Sequence, residues 1–337
     1  MKSNLLWVFS LVFLSSIAMS KDYPEGVKEV KYLSAADNSE QPALFWKPEN
    51  QSEPAPLLVA LHTWSGDFRQ TGSQIPMADW CQQMGWTFIH PNFRGKNWYP
   101  DALGSDLAVG DIISAVDFAK ETAMVDEKRI YCIGVSGGGH ASLLMAARAP
   151  EIWAGVSAWC GISDVAKWHQ QCVDTRFSRY AEHIEKALGG NPANFTEDAM
   201  RRSPVYWLEK NRDKLPPLDI WHGIKDGRIG SVPFKQSLEA WNAAVPADQQ
   251  FPDAAIEKFY ETQAFPEADL PDFGNRKVWF QKKSGNIRLS IFEGGHEILQ
   301  EPALNWLAVQ AKGAAPKWDA APVAKLKVSP EDTESGK

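Results

Sequence analysis

Cysteine is scarce, four in 337 residues, and no two form a Cys-x-x-Cys pair. A His-Glu-x-x-His helix is also missing, which excludes the commonest zinc-site spacings. No metal and no cofactor are expected. Basic charge is in short supply too: 35 Lys and Arg against 42 Asp and Glu leave a net charge of -7. That balance argues against a nucleic-acid partner. Long apolar runs are absent beyond the N-terminus, where no segment approaches the roughly 20 residues that a spanning helix needs. No membrane anchor is expected. One short apolar run, Leu5 to Leu14, follows Lys2 and precedes Ala18 and Ser20, the pattern of a signal peptide over residues 1–20 and of a periplasmic or secreted protein. In an oxidising compartment four cysteines can form bridges. Cys160, at the end of a strand-like run, and Cys172, in the segment after it, are the expected disulfide, and Cys132 is expected as a buried free thiol.

The chain does contain Gly134-Val135-Ser136-Gly137-Gly138, directly after the strand-like run Arg129 to Ile133 and before the helix-forming run Ala141 to Arg148. A Gly-x-Ser-x-Gly segment between strand and helix is the nucleophile elbow, in which a sharp turn exposes the serine Oγ above a sheet. In this architecture the partners follow in the order serine, acid, histidine. Leu218 to His222 reads as a strand, and the loop after it presents Asp226 as the acid. Ile287 to Phe292 alternates as a strand, and Glu293-Gly294-Gly295 leads to His296 as the base. Of the seven histidines only His296 follows Asp226. Two N–H donors should face the developing oxyanion. One is that of Gly137. The other belongs to the loop His62-Thr63-Trp64 after the buried strand Pro56 to Leu61; Trp64 is the expected donor, with its neighbour as the alternative.

The alternation of strands and helices continues with Trp86 to His90 and Leu107 to Thr122, which implies an α/β fold with a mostly parallel central sheet and helices on both faces. One catalytic domain is expected over residues 21–311. It is interrupted by a cap-like insertion at 162–215, rich in aromatics such as Trp168, Phe177, Tyr180 and Trp207, and by a second insertion at 244–286. The Ala-, Pro- and charge-rich tail, 312–337, is expected to be disordered. Fifteen tryptophans are many for this length. Trp86, Trp153, Trp221 and Trp306 fall in core positions, whereas Trp64, Trp98 and Trp168 lie in loops where a ring can serve as a platform for a sugar face.

Together these segments resemble the α/β-hydrolase superfamily over residues 43 to 311. The phrases Leu61 to Asp67, Gly134 to His140 and Phe292 to Glu297 look like the secreted bacterial polysaccharide esterases related to the prolyl oligopeptidase catalytic domain, in particular the α/β-hydrolase type of pectin methylesterase. The resemblance implies a serine esterase acting on plant polysaccharide, with pectin methyl esters as the leading substrate. A carbohydrate acetylesterase and a prolyl-oligopeptidase-like peptidase share the same catalytic residues and remain open. Trp98, Trp168, Arg94, Lys96 and Arg276 are the candidate substrate-binding residues, the cations as partners for uronate carboxylates. A carbohydrate ester is the expected partner; oligomeric state is not legible.

Overall fold

The computed structural model describes residues 23–266 and 269–327, so the expected signal peptide lies outside the described residues. Among these residues nine strands form one sheet: β1 (Lys28–Leu33), β2 (Glu40–Trp46), β3 (Ala55–Leu61), β4 (Thr87–Pro91), β5 (Val125–Val135), β6 (Gly155–Trp159), β7 (Leu218–Gly223), β8 (Val278–Ser284) and β9 (Ile287–Phe292). Their order is β1-β2-β4-β3-β5-β6-β7-β9-β8. The run from β4 to β9 is parallel throughout, while β1, β2 and β8 add antiparallel edges. The central strands β3, β4, β6, β7 and β9 are buried along their whole length, as a sheet covered on both faces requires.

Among the described residues ten α-helices accompany them: α1 (Gln74–Met84), α2 (Asp106–Thr122), α3 (Gly137–Arg148), α4 (Val165–Cys172), α5 (Ser178–Leu188), α6 (Thr196–Arg201), α7 (Pro204–Lys210), α8 (Lys235–Ala244), α9 (Asp253–Thr262) and α10 (Gln300–Ala308). Residues of α2, α3 and α8 fill the core on one face of the sheet, and those of α1 and α10 fill it on the other. A third cluster joins Ile162, Val165, Trp168 and Cys172 to Ala181 and Ile184, with Trp64 of the loop after β3 at its edge. This is the core of the segment between β6 and β7. It sits at the C-terminal ends of the parallel strands, where open α/β sheets hold their ligands. Among the described residues no helix is long and apolar enough to cross a membrane.

Three expectations are corrected. Cys160 and Cys172 form no disulfide, and all four cysteines are free and buried. Cys160 takes a left-handed φ of 46° and sends its Sγ toward the carbonyls of Gly295 and Glu297, whereas Cys172 closes the last turn of α4 inside the third cluster. The segment 244–286 is not wholly an insertion, because its end supplies β8, paired with β9 from Val278 to Ser284. Residues 312–327 are placed and packed. Trp318 stacks on Trp306 with ring centroids 5.5 Å apart, its carbonyl accepts a hydrogen bond from Arg288 Nη1, and Asn305 is bonded to the backbone of Val323 and Ala324. Composition suggested disorder, but a single tryptophan docking beside a buried arginine outweighs it.

Two measurements check these corrections. Titration of thiols in denaturant without reductant should find four per chain; two would mean a bridge. Trp318→Ala should lower the unfolding free energy by about 2 kcal/mol, below the cost of deleting a fully buried tryptophan, and an unchanged urea midpoint would show that the tail contributes nothing.

Candidate active site

β5 ends at Val135 and α3 begins at Gly137, so Ser136 alone makes the turn. Its φ of 61° and ψ of -121° are unfavourable for a residue with a Cβ, on the order of 1–3 kcal/mol. The conformation is held from both sides: Ser136 N–H donates to Trp159 O at 2.9 Å, and its carbonyl accepts from His140 N–H at 2.8 Å. The flanking glycines are required by close approach. A Cβ on Gly134 would lie 2.4 Å from the Gly138 carbonyl, and one on Gly138 would lie 2.4 Å from Leu61 O.

Ser136 and His296 line one cavity of about 400 Å³, together with Trp64, Tyr180 and Ile298. His296 Nδ1 lies 2.6 Å from Asp226 Oδ2. An ionised carboxylate only accepts, so Nδ1 carries the proton and Nε2 keeps its lone pair. Asp226 is fully buried. Its Oδ1 accepts from Gly227 N–H at 2.9 Å and Val232 N–H at 3.2 Å, and its Oδ2 also accepts from His222 Nε2 at 3.1 Å. Burial pushes the carboxyl up, but the hydrogen bonds from His222 and His296 outweigh it and hold Asp226 well below the usual carboxylate range.

His222 was not among the residues singled out by sequence. Its Nε2 faces both Asp226 and the Val232 carbonyl, 2.9 Å away, so Nε2 is the protonated nitrogen. Nδ1 therefore accepts from the Ser237 hydroxyl at 2.7 Å. Every polar atom of this buried histidine is satisfied, which fixes its tautomer and aims a donor at the acid.

The two expected oxyanion donors also come together. A Cβ on Gly137 would meet Trp64 N at 2.5 Å, so the backbone N–H groups of Gly137 and Trp64 are near neighbours. Thr63 N–H is occupied by Gln70 Oε1 at 2.8 Å, whereas Trp64 N–H has no protein acceptor among the described residues. That geometry favours Trp64 over its neighbour as the second donor. Gly137 N–H opens α3, where the first turn has no intrahelical acceptors. His62 is buried against Phe93, with ring centroids 3.8 Å apart, and bonds the carbonyls of Thr63 and Asn92; it braces the loop.

The candidate substrate residues fare differently. Trp168 is buried and donates to Ser231 O at 2.9 Å, so it is no open platform; it supports Trp64, whose ring centroid is 4.7 Å away. Arg94 is spent on two carboxylates, Asp37 at 2.8 Å and Asp111 at 2.7 Å, and ties β1's following turn to α2. Arg276 pairs with Glu297 at 2.8 Å and donates to Glu293 O, clamping the loop that carries His296. Trp98 is half-buried beside His183, 4.4 Å between ring centroids, with the Lys96 ammonium 5.4 Å from its ring; both stand outside the cavity lining. Tyr180, on α5, does line the cavity, and its neighbour His183 accepts from the Trp64 indole N–H at 3.1 Å.

A model described as the prolyl oligopeptidase family matches residues 74–258. The chain belongs to the prolyl oligopeptidase family. It is similar to an acetylxylan esterase of Coprinopsis cinerea, 24% identical over 286 residues that cover 77% of this chain and 66% of that protein. It is also similar to feruloyl esterase B of Thermothelomyces thermophilus, 22% identical, covering 59% of this chain and 68% of the other. A solved acylaminoacyl peptidase of Pyrococcus horikoshii superposes with a TM-score of 0.61 at 17% identity, over 89% of this chain and 43% of that one. The chain spans less than half of that peptidase and about two thirds of the esterases, and the structural likeness concerns the fold alone.

His222→Phe removes one of the two side-chain bonds on Asp226 and leaves the carboxyl buried. The expected result is a rise of the Asp226 pKa and a kcat/KM lower by about tenfold, roughly 1.4 kcal/mol, with KM little changed. Equal kinetics and an unchanged pH–rate profile would mean that His222 does not act on the acid.

Proposed function

We propose that this protein is an exported serine esterase that removes ester groups from plant polysaccharide, with Ser136 as nucleophile, His296 as base and Asp226 as the acid that orients it. The observation that carries the reading is the shared cavity of Ser136 and His296, with the His296 Nδ1–Asp226 bond of 2.6 Å behind it. In the first step His296 Nε2 takes the hydroxyl proton as Ser136 Oγ attacks the ester carbonyl. The N–H groups of Gly137 and Trp64 hold the oxyanion, the protonated imidazole hands its proton to the leaving alcohol, and an acyl-Ser136 remains. Water then repeats the sequence and releases the acid.

Within that class, neutral acyl esters on a xylan-like backbone are favoured over pectin methyl esters. A polyuronate needs cations near the site, yet among the described residues no lysine or arginine lines the cavity, and Arg94 and Arg276 are already paired. The names of the esterase relatives, acetylxylan and feruloyl, support the same choice. The small-residue pattern before residue 21 supports export.

Acetate, ferulate and methanol released from acetylated xylan, feruloylated arabinoxylan and methylated pectin should be measured with the wild type and Ser136→Ala. Expected are acetate or ferulate release at least tenfold faster than methanol release, and loss of nearly all activity in Ser136→Ala with its fold intact. Faster methanol release would restore the pectin reading, and cleavage of an acyl-dipeptide amide ahead of every ester would replace both with peptidase.

A further inference from the structure

Behind the acid–base pair the fold places a thiol. Cys160 follows β6 in the left-handed region, its N–H donating to Trp221 O at 2.8 Å. Its fully buried Sγ lies 3.7 Å from Gly295 O and 3.5 Å from Glu297 O, the carbonyls on either side of His296. One donor atom from each of Cys160, Asp226 and His296 falls within 4.8 Å of the others. The three residues are 66 and 70 positions apart in sequence, so no ligand spacing announces them; they meet because β6, β7 and β9 are neighbours in the sheet.

We propose that Cys160, Asp226 and His296 form an inhibitory binding site for a zinc-class divalent cation. Sulfur, imidazole nitrogen and carboxylate oxygen are the donors such a cation prefers, at about 2.3, 2.0–2.1 and 2.0–2.2 Å, with a fourth tetrahedral position for water. A tetrahedral cation with those bond lengths keeps its nitrogen and oxygen ligands roughly 3.3 Å apart, so the His296 Nδ1–Asp226 Oδ2 pair opens from 2.6 Å as the cation takes the place of the proton between them, while Cys160 Sγ closes on it from within 4.8 Å. Thiolate and carboxylate together neutralise the cation, so a buried site gains no net charge. His296 is about a quarter exposed, which opens the trio to the cavity.

Binding changes no oxidation state. The thiol proton of Cys160 leaves to solvent as the S–metal bond forms. Nδ1 of His296 gives up its proton and coordinates the metal through the freed lone pair, and solvent returns a proton to Nε2. An imidazole with Nε2–H cannot accept the hydroxyl proton of Ser136. Inhibition therefore acts on kcat through the tautomer of the base and leaves the substrate cavity open. The inhibitory consequence rests on the esterase reading above; the binding does not.

The test measures binding and inhibition separately. Zn2+ titrated into Ser136→Ala protein by calorimetry should bind one ion per chain, and Cd2+ should produce a cadmium–thiolate charge-transfer absorption. Adding Cys160→Ala to that protein should abolish the absorption and weaken Zn2+ binding at least tenfold. Cys160→Ser provides the same comparison where the alanine variant does not fold. In the active enzyme Zn2+ should lower kcat with KM unchanged, reversibly on addition of a chelator, and Cys160→Ser should tolerate at least tenfold more Zn2+. Equal Zn2+ affinity with and without the thiol, or stoichiometric Cd2+ binding with no thiolate absorption, would overturn the site. Binding with the expected thiol dependence in an enzyme that hydrolyses no ester would overturn the functional reading and leave the metal site standing.

Discussion

Backbone segments meet around Ser136 more closely than side chains would permit. Gly134 faces the Gly138 carbonyl, Gly138 faces Leu61 O, Gly137 faces Trp64 N and Gly139 faces Trp159 O, and a Cβ at any of these positions would approach its neighbour within 2.5 Å. The ends of β3, β5 and β6 are thereby locked to the start of α3. This contact sets the left-handed turn of the serine, which would relax if the helix could withdraw from the sheet. It also sets the spacing of the two N–H groups, since Trp64 comes from the loop after β3 and Gly137 from the first turn of α3. The strained turn of Ser136 and the closeness of the Gly137 and Trp64 N–H groups thus follow from one steric constraint, without a side chain being asked to position either.

The acid–base half depends on a different kind of constraint. Asp226 is removed from water, and its charge is tolerated because four donors surround it: two backbone N–H groups, His222 and His296. An unpaired carboxylate there would be protonated and could not hold the tautomer that leaves His296 Nε2 free. Around this centre the aromatic residues of the segment between β6 and β7 brace the first half. Trp168 packs on Trp64, and His183 accepts a hydrogen bond from its indole N–H, so the loop that carries the Trp64 N–H is steadied by α4 and α5, of which α5 also lines the cavity through Tyr180.

Much of this was legible in sequence because the chemistry imposes local patterns. The glycines around Ser136 must be glycines, the acid and base must follow strands, and buried parallel strands must read as apolar runs. The edge strands β1 and β8 were not legible: half-exposed and charged, with Lys28, Lys31, Lys282 and Lys283 among their residues, they lack the apolar signature. His222 was missed because its partner Asp226 is reached only through the turn after β7. Arg94 and Arg276 looked like substrate cations since sequence displays charge and hides the carboxylates that fold onto it. Cys160 and Cys172 looked like a pair for a related reason: proximity in the chain says nothing of the direction in which a left-handed residue points its side chain. Trp318 converted a tail of disordered composition into a packed segment.

The central claim, that strand, elbow and buried acid together make Ser136 a nucleophile, is tested most directly by covalent trapping. An alkyl fluorophosphonate added in slight excess should form one adduct per chain, mapped by peptide mass to Ser136 and absent from His296→Ala under the same conditions. Labelling at another residue, or equal labelling of Ser136 without His296, would contradict the account.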